Sequence, residues 1–300
     1  MSGQTRTCQT KLSNDMKTER IVLSSLIACT GAGMLVTGCT DGQGYGEAAV
    51  NACITDTTVY LLGNDKASPN CHIKLSFAYL NPHSEKDTVS EAVNHTLKQM
   101  YFGDLYAKLA PQTFIDTITH NLISDYRRDV LESYRTDLEN GVSPEDMPSW
   151  YNYDFEITSE LEKGRDSIWN YKVVTSQYMG GAHPNTWAKW ANINARTGRQ
   201  VSENEIFGKA DKKGICKLLL EKIIGSANER LETDTITSVE GLHANGILLD
   251  EEVFIPENFL LKADGIEFLY NPYEIAPYYL GSFKLTISNE EITPYLNIKK

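Results

Sequence analysis

Two periods of apolar residues divide this chain into blocks. Thr55 to Leu62 is β-branched and apolar, which predicts a strand. His72-Ile73-Lys74-Leu75-Ser76-Phe77-Ala78-Tyr79 alternates with period two and predicts a half-buried strand. The turn-forming residues 63–70 between them complete a hairpin. Helical spacing then takes over. Thr88-Val89-Ser90-Glu91 fits a capping box, and Val89, Val93, Leu97, Met100 or Tyr101, and Leu105 follow at helical intervals. Pro111 suits a first helical position. Ile115, Ile118, Leu122, Tyr126, Val130, Tyr134 and Leu138 then step by three or four, predicting a helix of about seven turns with a charged outer face.

Gly141 to Ser149 holds two prolines and a glycine, and a boundary is expected there. Beyond it the period returns to two. Tyr153, Phe155 and Ile157 alternate with polar residues, Gly164-Arg165-Asp166 turns the chain, and Trp169, Tyr171 and Val173 alternate in turn. A third strand runs from Trp187 to Ile193, so the three predict an antiparallel meander. A helix is expected over 212–231 with Ile215, Leu219, Ile223 and Ala227 inward. Phe259-Leu260-Leu261, the turn 263–265, and Ile266, Phe268 and Tyr270 read as a second hairpin. Phe283, Leu285 and Ile287 mark a last strand, and Ser288-Asn289-Glu290-Glu291 caps a short final helix. Strands followed by helices, twice over, predict an α+β fold in which an antiparallel sheet packs with helices in two subdomains.

The first residues read as an address. Met16-Lys17-Thr18-Glu19-Arg20 is a charged start, Ile21 to Val36 is apolar, and Val36-Thr37-Gly38-Cys39 has the form of a bacterial lipobox. This predicts a lipoprotein signal over 1–38, with Cys39 lipidated and the translation start near Met16. A flexible tether would follow over 39–50, then a companion domain over 51–145 and a C-terminal domain over 146–300. The rest of the chain would lie outside the inner membrane, in the periplasm or at the cell surface, held to a membrane by lipid.

The 300 residues are 41% hydrophobic and 23% charged, ordinary for a globular protein. Net charge is −12. Loss of residues 1–38 removes Arg6, Lys11, Lys17 and Arg20 against Asp15 and Glu19, leaving 24 basic and 38 acidic residues. A chain this acidic suits a basic partner and argues against nucleic acid, which needs a basic face. Three cysteines survive such processing: Cys53, Cys71 and Cys216. A Cys53–Cys71 bridge is permitted in an exported compartment, but hairpin register argues against it, and three free thiols are the alternative.

Recognised catalytic and cofactor fingerprints are absent, and no two of the six histidines sit at metal-ligand spacing in one element. No cofactor or metal is expected. Two segments stand out instead. The first, Gln177 to Asn185, brings Tyr178, Gly180, Gly181 and His183 into a loop, with His183 held extended by the following proline. The second, Tyr270 to Gly281, carries four tyrosines and two prolines with Asn271 and Glu274. Such a segment is either a packed crossover or a stiff aromatic recognition surface for a protein or a sugar.

These motifs, with Asn192-Ile193-Asn194, Thr197-Gly198-Arg199, Ile206-Phe207 and Phe259 to Gly265, resemble a bacterial domain of unknown function. That domain ends the ectodomain of the lysozyme-sensing anti-sigma factor RsiV and occurs beside the deacetylase domain of PdaC. The resemblance covers about residues 150–300 and implies an α+β fold and an extracytoplasmic role; it does not imply an enzyme. The likeness and the residues together give a first expectation, a tethered binder of a lysozyme-like hydrolase or a peptidoglycan-type glycan. Tyr178, Tyr273 and Tyr278 would supply aromatic contact, and His183, Asn271 and Glu274 polar contact, on a loop shaped by Gly180 and Gly181. A second is an enzyme acting on envelope polysaccharide, with His183 as acid/base and Glu274 or Asp154 as its partner. A third is a structural lipoprotein in which both segments only pack.

Overall fold

The computed structural model describes residues 48–84, 86–249 and 252–296. The expected leader, Cys39 and most of the tether lie outside the described residues. No helix among the described residues is long and apolar enough to cross a membrane.

Strand β1 (Ala49–Tyr60) opens the fold, so positions 49 and 50, expected in the tether, are already strand. It pairs antiparallel with β2 (Asn70–Asn81), and Val59 faces Cys71 while Cys53 faces Phe77. That register keeps the two thiols apart, and both are free. Helix α1 (Thr88–Phe102) starts one residue before the expected box: Asp87 is its N-cap and accepts from the Ser90 N–H. A carboxylate at this position does what the threonine hydroxyl was expected to do. Short α2 (Asp104–Ala107) leads to α3 (Pro111–Glu139), with Pro111 at its first turn and Phe114, Ile115, Ile118, Tyr126, Val130 and Tyr134 buried.

After two 3-10 turns come β3 (Tyr153–Lys163), β4 (Ile168–Met179) and β5 (Asn185–Asn194), the expected meander. It is half of a larger sheet. β2 pairs parallel with β3, joining hairpin and meander into six strands ordered β1-β2-β3-β4-β5-β6, where β6 is Gln200–Val201. The expected boundary near residue 145 therefore falls at a connection between two paired strands. The cluster of Ile73, Leu75 and Phe77, Phe114 and Tyr126, and Phe155 and Tyr171 spans it.

A second core begins past residue 200. It unites α4 (Glu203–Phe207), α5 (Lys212–Arg230) and α6 (Val239–Ala244) with a sheet of β7 (Asn258–Leu261), β8 (Gly265–Tyr270) and β9 (Phe283–Ser288). Ile215, Leu219, Ile223 and Ala227 are inward on α5 as their spacing predicts. Ser288 and Glu291 form a true capping box on α7 (Asn289–Ile292). The Lys222 ammonium and the Ser288 N–H and hydroxyl together lower the Glu291 pKa to about 2.

Asparagines join the two sheets. The Asn192 Oδ1 accepts from the Leu261 N–H (2.8 Å) and from Asn170 (3.0 Å), and its Nδ2 donates to the Phe259 carbonyl (2.9 Å). Asn258 accepts from the Trp190 N–H at 2.8 Å. Asn271 accepts from the Ala188 N–H at 2.7 Å and donates to the Ala188 carbonyl at 2.9 Å. Carboxamides thus satisfy backbone groups along β5 and β7 that would otherwise be orphaned where the sheets meet.

Candidate binding site

The loop between β4 and β5 leaves the sheet at Gly180, whose φ is +84°. A Cβ there would sit 2.6 Å from the Trp150 carbonyl oxygen, so only glycine fits. Gly181 carries no such demand, because its nearest neighbour would be 3.7 Å away. Proline follows His183, and the imidazole folds back so that its Nδ1–H donates to the Pro184 carbonyl at 2.8 Å. The same oxygen accepts from the Tyr278 hydroxyl at 2.8 Å.

This shared carbonyl ties the two expected segments together. The His183 and Tyr278 rings stack with centroids 4.0 Å apart and planes 17° apart. Tyr273 extends the stack, 5.6 Å from Tyr278 at 29°. Tyr273 itself lies at φ +71°, in a turn closed by its N–H to the Ala276 carbonyl. The Glu274 carboxylate accepts from the Asn271 N–H at 3.0 Å and braces that turn. Asn271 reaches back to β5 at Ala188, which fixes the segment on the edge of the larger sheet. Tyr273 is 63% exposed and Tyr279 74% exposed, so the result is an aromatic ledge facing solvent.

Of the expected residues, His183, Tyr273 and Tyr278 form the ledge. Asn271 and Glu274 bind main chain and each other, and so position the ledge from behind. Tyr178 stands elsewhere: half-buried on β4, it faces Asp154 on β3 and shares no ring contact or hydrogen bond with the ledge. Gly180 serves the opposite side of the loop, against Trp150. Neither carboxylate named for an acid/base role contacts His183. Glu274 holds Asn271, and Asp154 holds His72 at 2.8 Å, while Asp56 takes the other nitrogen of that imidazole at 3.1 Å. Those two bonds, Asp154 first, raise the His72 pKa.

The sequence reading missed Trp150 (54% exposed), Met179 (50% exposed) and Tyr279 as surface aromatics or apolar neighbours of the loop. The adjacent Tyr278-Tyr279 pair was a usable signal for the last, since successive side chains leave the backbone in different directions; in the 3-10 turn 278–280 Tyr278 meets His183 and Tyr279 faces solvent. Trp150 gave none, lying between the stretch read as a boundary, which ends at Ser149, and the strand read from Tyr153. Among the described residues no group of three or more His, Cys, Asp or Glu side chains could hold a metal.

Comparison with known proteins finds a family match over part of the chain. Residues 204–290, from α4 into α7, match the family described as "Protein of unknown function (DUF3298)". A DUF3298 protein of Bacteroides fragilis, solved as a crystal structure, is 25% identical with a TM-score of 0.74, over 84% of this chain and 94% of that one. A DUF3298 protein of Pseudomonas aeruginosa is 11% identical with a TM-score of 0.46, over 83% of this chain and 95% of that one. No curated protein matches the chain. The 270–281 half of the ledge lies inside the matched segment and the 178–185 half outside it. The chain thus carries a DUF3298 match in its C-terminal part and, over most of its length, shares the α+β fold of a DUF3298 protein.

Proposed function

We propose that this protein is a lipid-anchored binding protein of the cell envelope, with no catalysis of its own, whose partner is a lysozyme-like hydrolase. The observation that carries the reading is the ledge of His183, Tyr278 and Tyr273, stacked, braced and open to solvent. Large aromatics held rigid on a surface are the usual anchors of protein interfaces, whereas small ligands favour concave sites. Tyr273 is 63% exposed, an open rather than an enclosed setting, which favours a protein over a glycan there. The lipobox at Cys39 supports anchoring outside the cytoplasm. The likeness to the domain shared by RsiV and PdaC supports the choice of partner. The acidic balance suits lysozymes, which are often strongly basic, and speeds their encounter.

The test is calorimetry of the full chain against a panel of lysozymes at moderate salt, where purely electrostatic attraction is screened. Saturable binding is expected, weakened about tenfold or more by Tyr278→Ala or Tyr273→Ala, the loss typical of truncating one interface anchor. No binding to any lysozyme, or binding untouched by both substitutions, would overturn the reading.

A further inference from the structure

The loop has a second side. Where Tyr278 packs on its His183 end, Trp150 packs on its Gly180 end. Trp150, Met179 and Gly180, with Asp129 and Ser133 of α3 and with Tyr153, the strand partner of Met179, line a shallow cleft of about 310 Å³. We propose that this cleft is a binding site for a neutral saccharide, distinct from the ledge and independent of the partner assigned to it.

Trp150 is the first argument. Its side chain is 54% exposed, with one ring neighbour, Tyr151, at 6.2 Å. Its neighbours in the chain, Tyr151 and Asn152, are tied to the rest of the fold. The Tyr151 hydroxyl donates to Asp137 at 2.7 Å. The Asn152 carboxamide accepts from the Asn70 N–H at 2.9 Å and donates to the Ser149 carbonyl at 3.3 Å. Gly180 lies flat against the Trp150 carbonyl and Cβ. A large apolar plane presented to water from an immobilised backbone loses little freedom on binding. The apolar face of a pyranose ring is the shape that such a plane takes.

The other lining residues supply the polar half. The Asp129 side chain is 44% exposed, and its Oδ1 has only a 3.4 Å contact with Arg128. Arg128 spends its charge on Asp125 at 2.6 Å. The Asp129 Oδ2, the Ser133 hydroxyl and the Tyr153 hydroxyl have no protein partner among the described residues. One acceptor carboxylate and two hydroxyls that both donate and accept match the hydroxyls of a sugar. The cleft lining holds no cation, which disfavours an anionic ligand. A lone ammonium would meet one aromatic face in a space far larger than itself, which disfavours a cation-binding cage.

The experiment titrates the full chain with chitotriose and cellotriose, two trisaccharides with equatorial linkages and flat apolar ring faces, following binding by calorimetry. Saturable binding to at least one is expected at affinities near about 1 mM or tighter. Trp150→Ala should weaken it about tenfold or more, the loss of one stacked aromatic plane with its buried area. Asp129→Asn, on an exposed helix position, should weaken it several-fold while leaving the melting temperature unchanged, so a folding defect cannot mimic the result. Tyr273→Ala should leave saccharide binding intact and fail only in hydrolase binding, so the two sites stand or fall separately. No saturation by either sugar at about ten times that concentration would overturn the site, as would binding that survives both Trp150→Ala and Asp129→Asn.

Discussion

Gly180 and Gly181 are neighbours in sequence and opposites in demand. Gly180 sits at φ +84° against the Trp150 backbone, and Gly181 has room for a Cβ at ordinary contact distance. Gly180→Ala should cost about 1–3 kcal/mol from the strained φ and the forced shift of Trp150, whereas Gly181→Ala should fall within about 0.5 kcal/mol of the parent. Chemical denaturation of the two variants measures the difference; equal losses would contradict the steric account. The pair illustrates what single residues disclose in sequence. A Gly-Gly loop before His-Pro was legible as unusual backbone, but which glycine is obligatory depends on Trp150, thirty positions away. His183 was likewise legible as a polar candidate and Tyr278 as an aromatic one, while their shared acceptor, the Pro184 carbonyl, is visible only in three dimensions.

Between elements, short polar links do much of the joining. Asn192 is buried and makes two hydrogen bonds across the gap between the sheets, to Phe259 and Leu261, and a third within the larger sheet, to Asn170. Asn192→Ala would leave the Leu261 N–H and the Phe259 carbonyl without partners and should cost about 3 kcal/mol, near the top of the range for orphaned buried groups. A melting experiment showing a loss below about 0.5 kcal/mol, the scale of a neutral surface change, would rule out this role. On the open face of the larger sheet, His72 on β2 joins Asp56 on β1 to Asp154 on β3. These carboxylates raise its pKa, so the folded state holds the proton more tightly than the unfolded chain. The added stability is complete below the unfolded value of about 6.5 and fades as pH rises through the folded one. The difference in melting temperature between parent and His72→Gln should therefore shrink from about pH 6 to about pH 9; a widening gap would reverse the sign. Element types were well legible here, because period two and period 3.6 both ran long. Their partnership was not: β2 and β3 alternate with the same period whether they pair or stand apart, so the parallel join left no mark on the pattern.

At the scale of the molecule, the described residues make one compact unit, with β1, β2 and α3 completing the core that β3–β5 begin. A fragment of residues 146–300 would leave Phe155, Tyr171 and Val173 without the helices that cover them. Expressed alone it should give no cooperative melt, while the full chain should lose near-ultraviolet and far-ultraviolet dichroism together. A cooperative transition in the fragment would establish an independent domain there. The composition shift at Gly141–Ser149 suggested such a boundary because turn-rich segments mark surface connections, and this one is a surface connection within a single core.

The parallel join also has a schedule. β2 is complete at Asn81, and its partner β3 begins at Tyr153. At roughly 5–20 residues per second the intervening stretch of about 70 residues takes roughly 4–14 s to synthesise. The first hairpin presents Cys71, Ile73, Leu75 and Phe77 uncovered until α3 follows at Pro111–Glu139, and it lacks its parallel partner until β3 follows. A lone two-stranded hairpin is marginal in water. For those seconds the nascent chain depends on being shielded or left unpaired, and lengthening the β2–β3 crossover would prolong that dependence before it changed any contact in the finished protein.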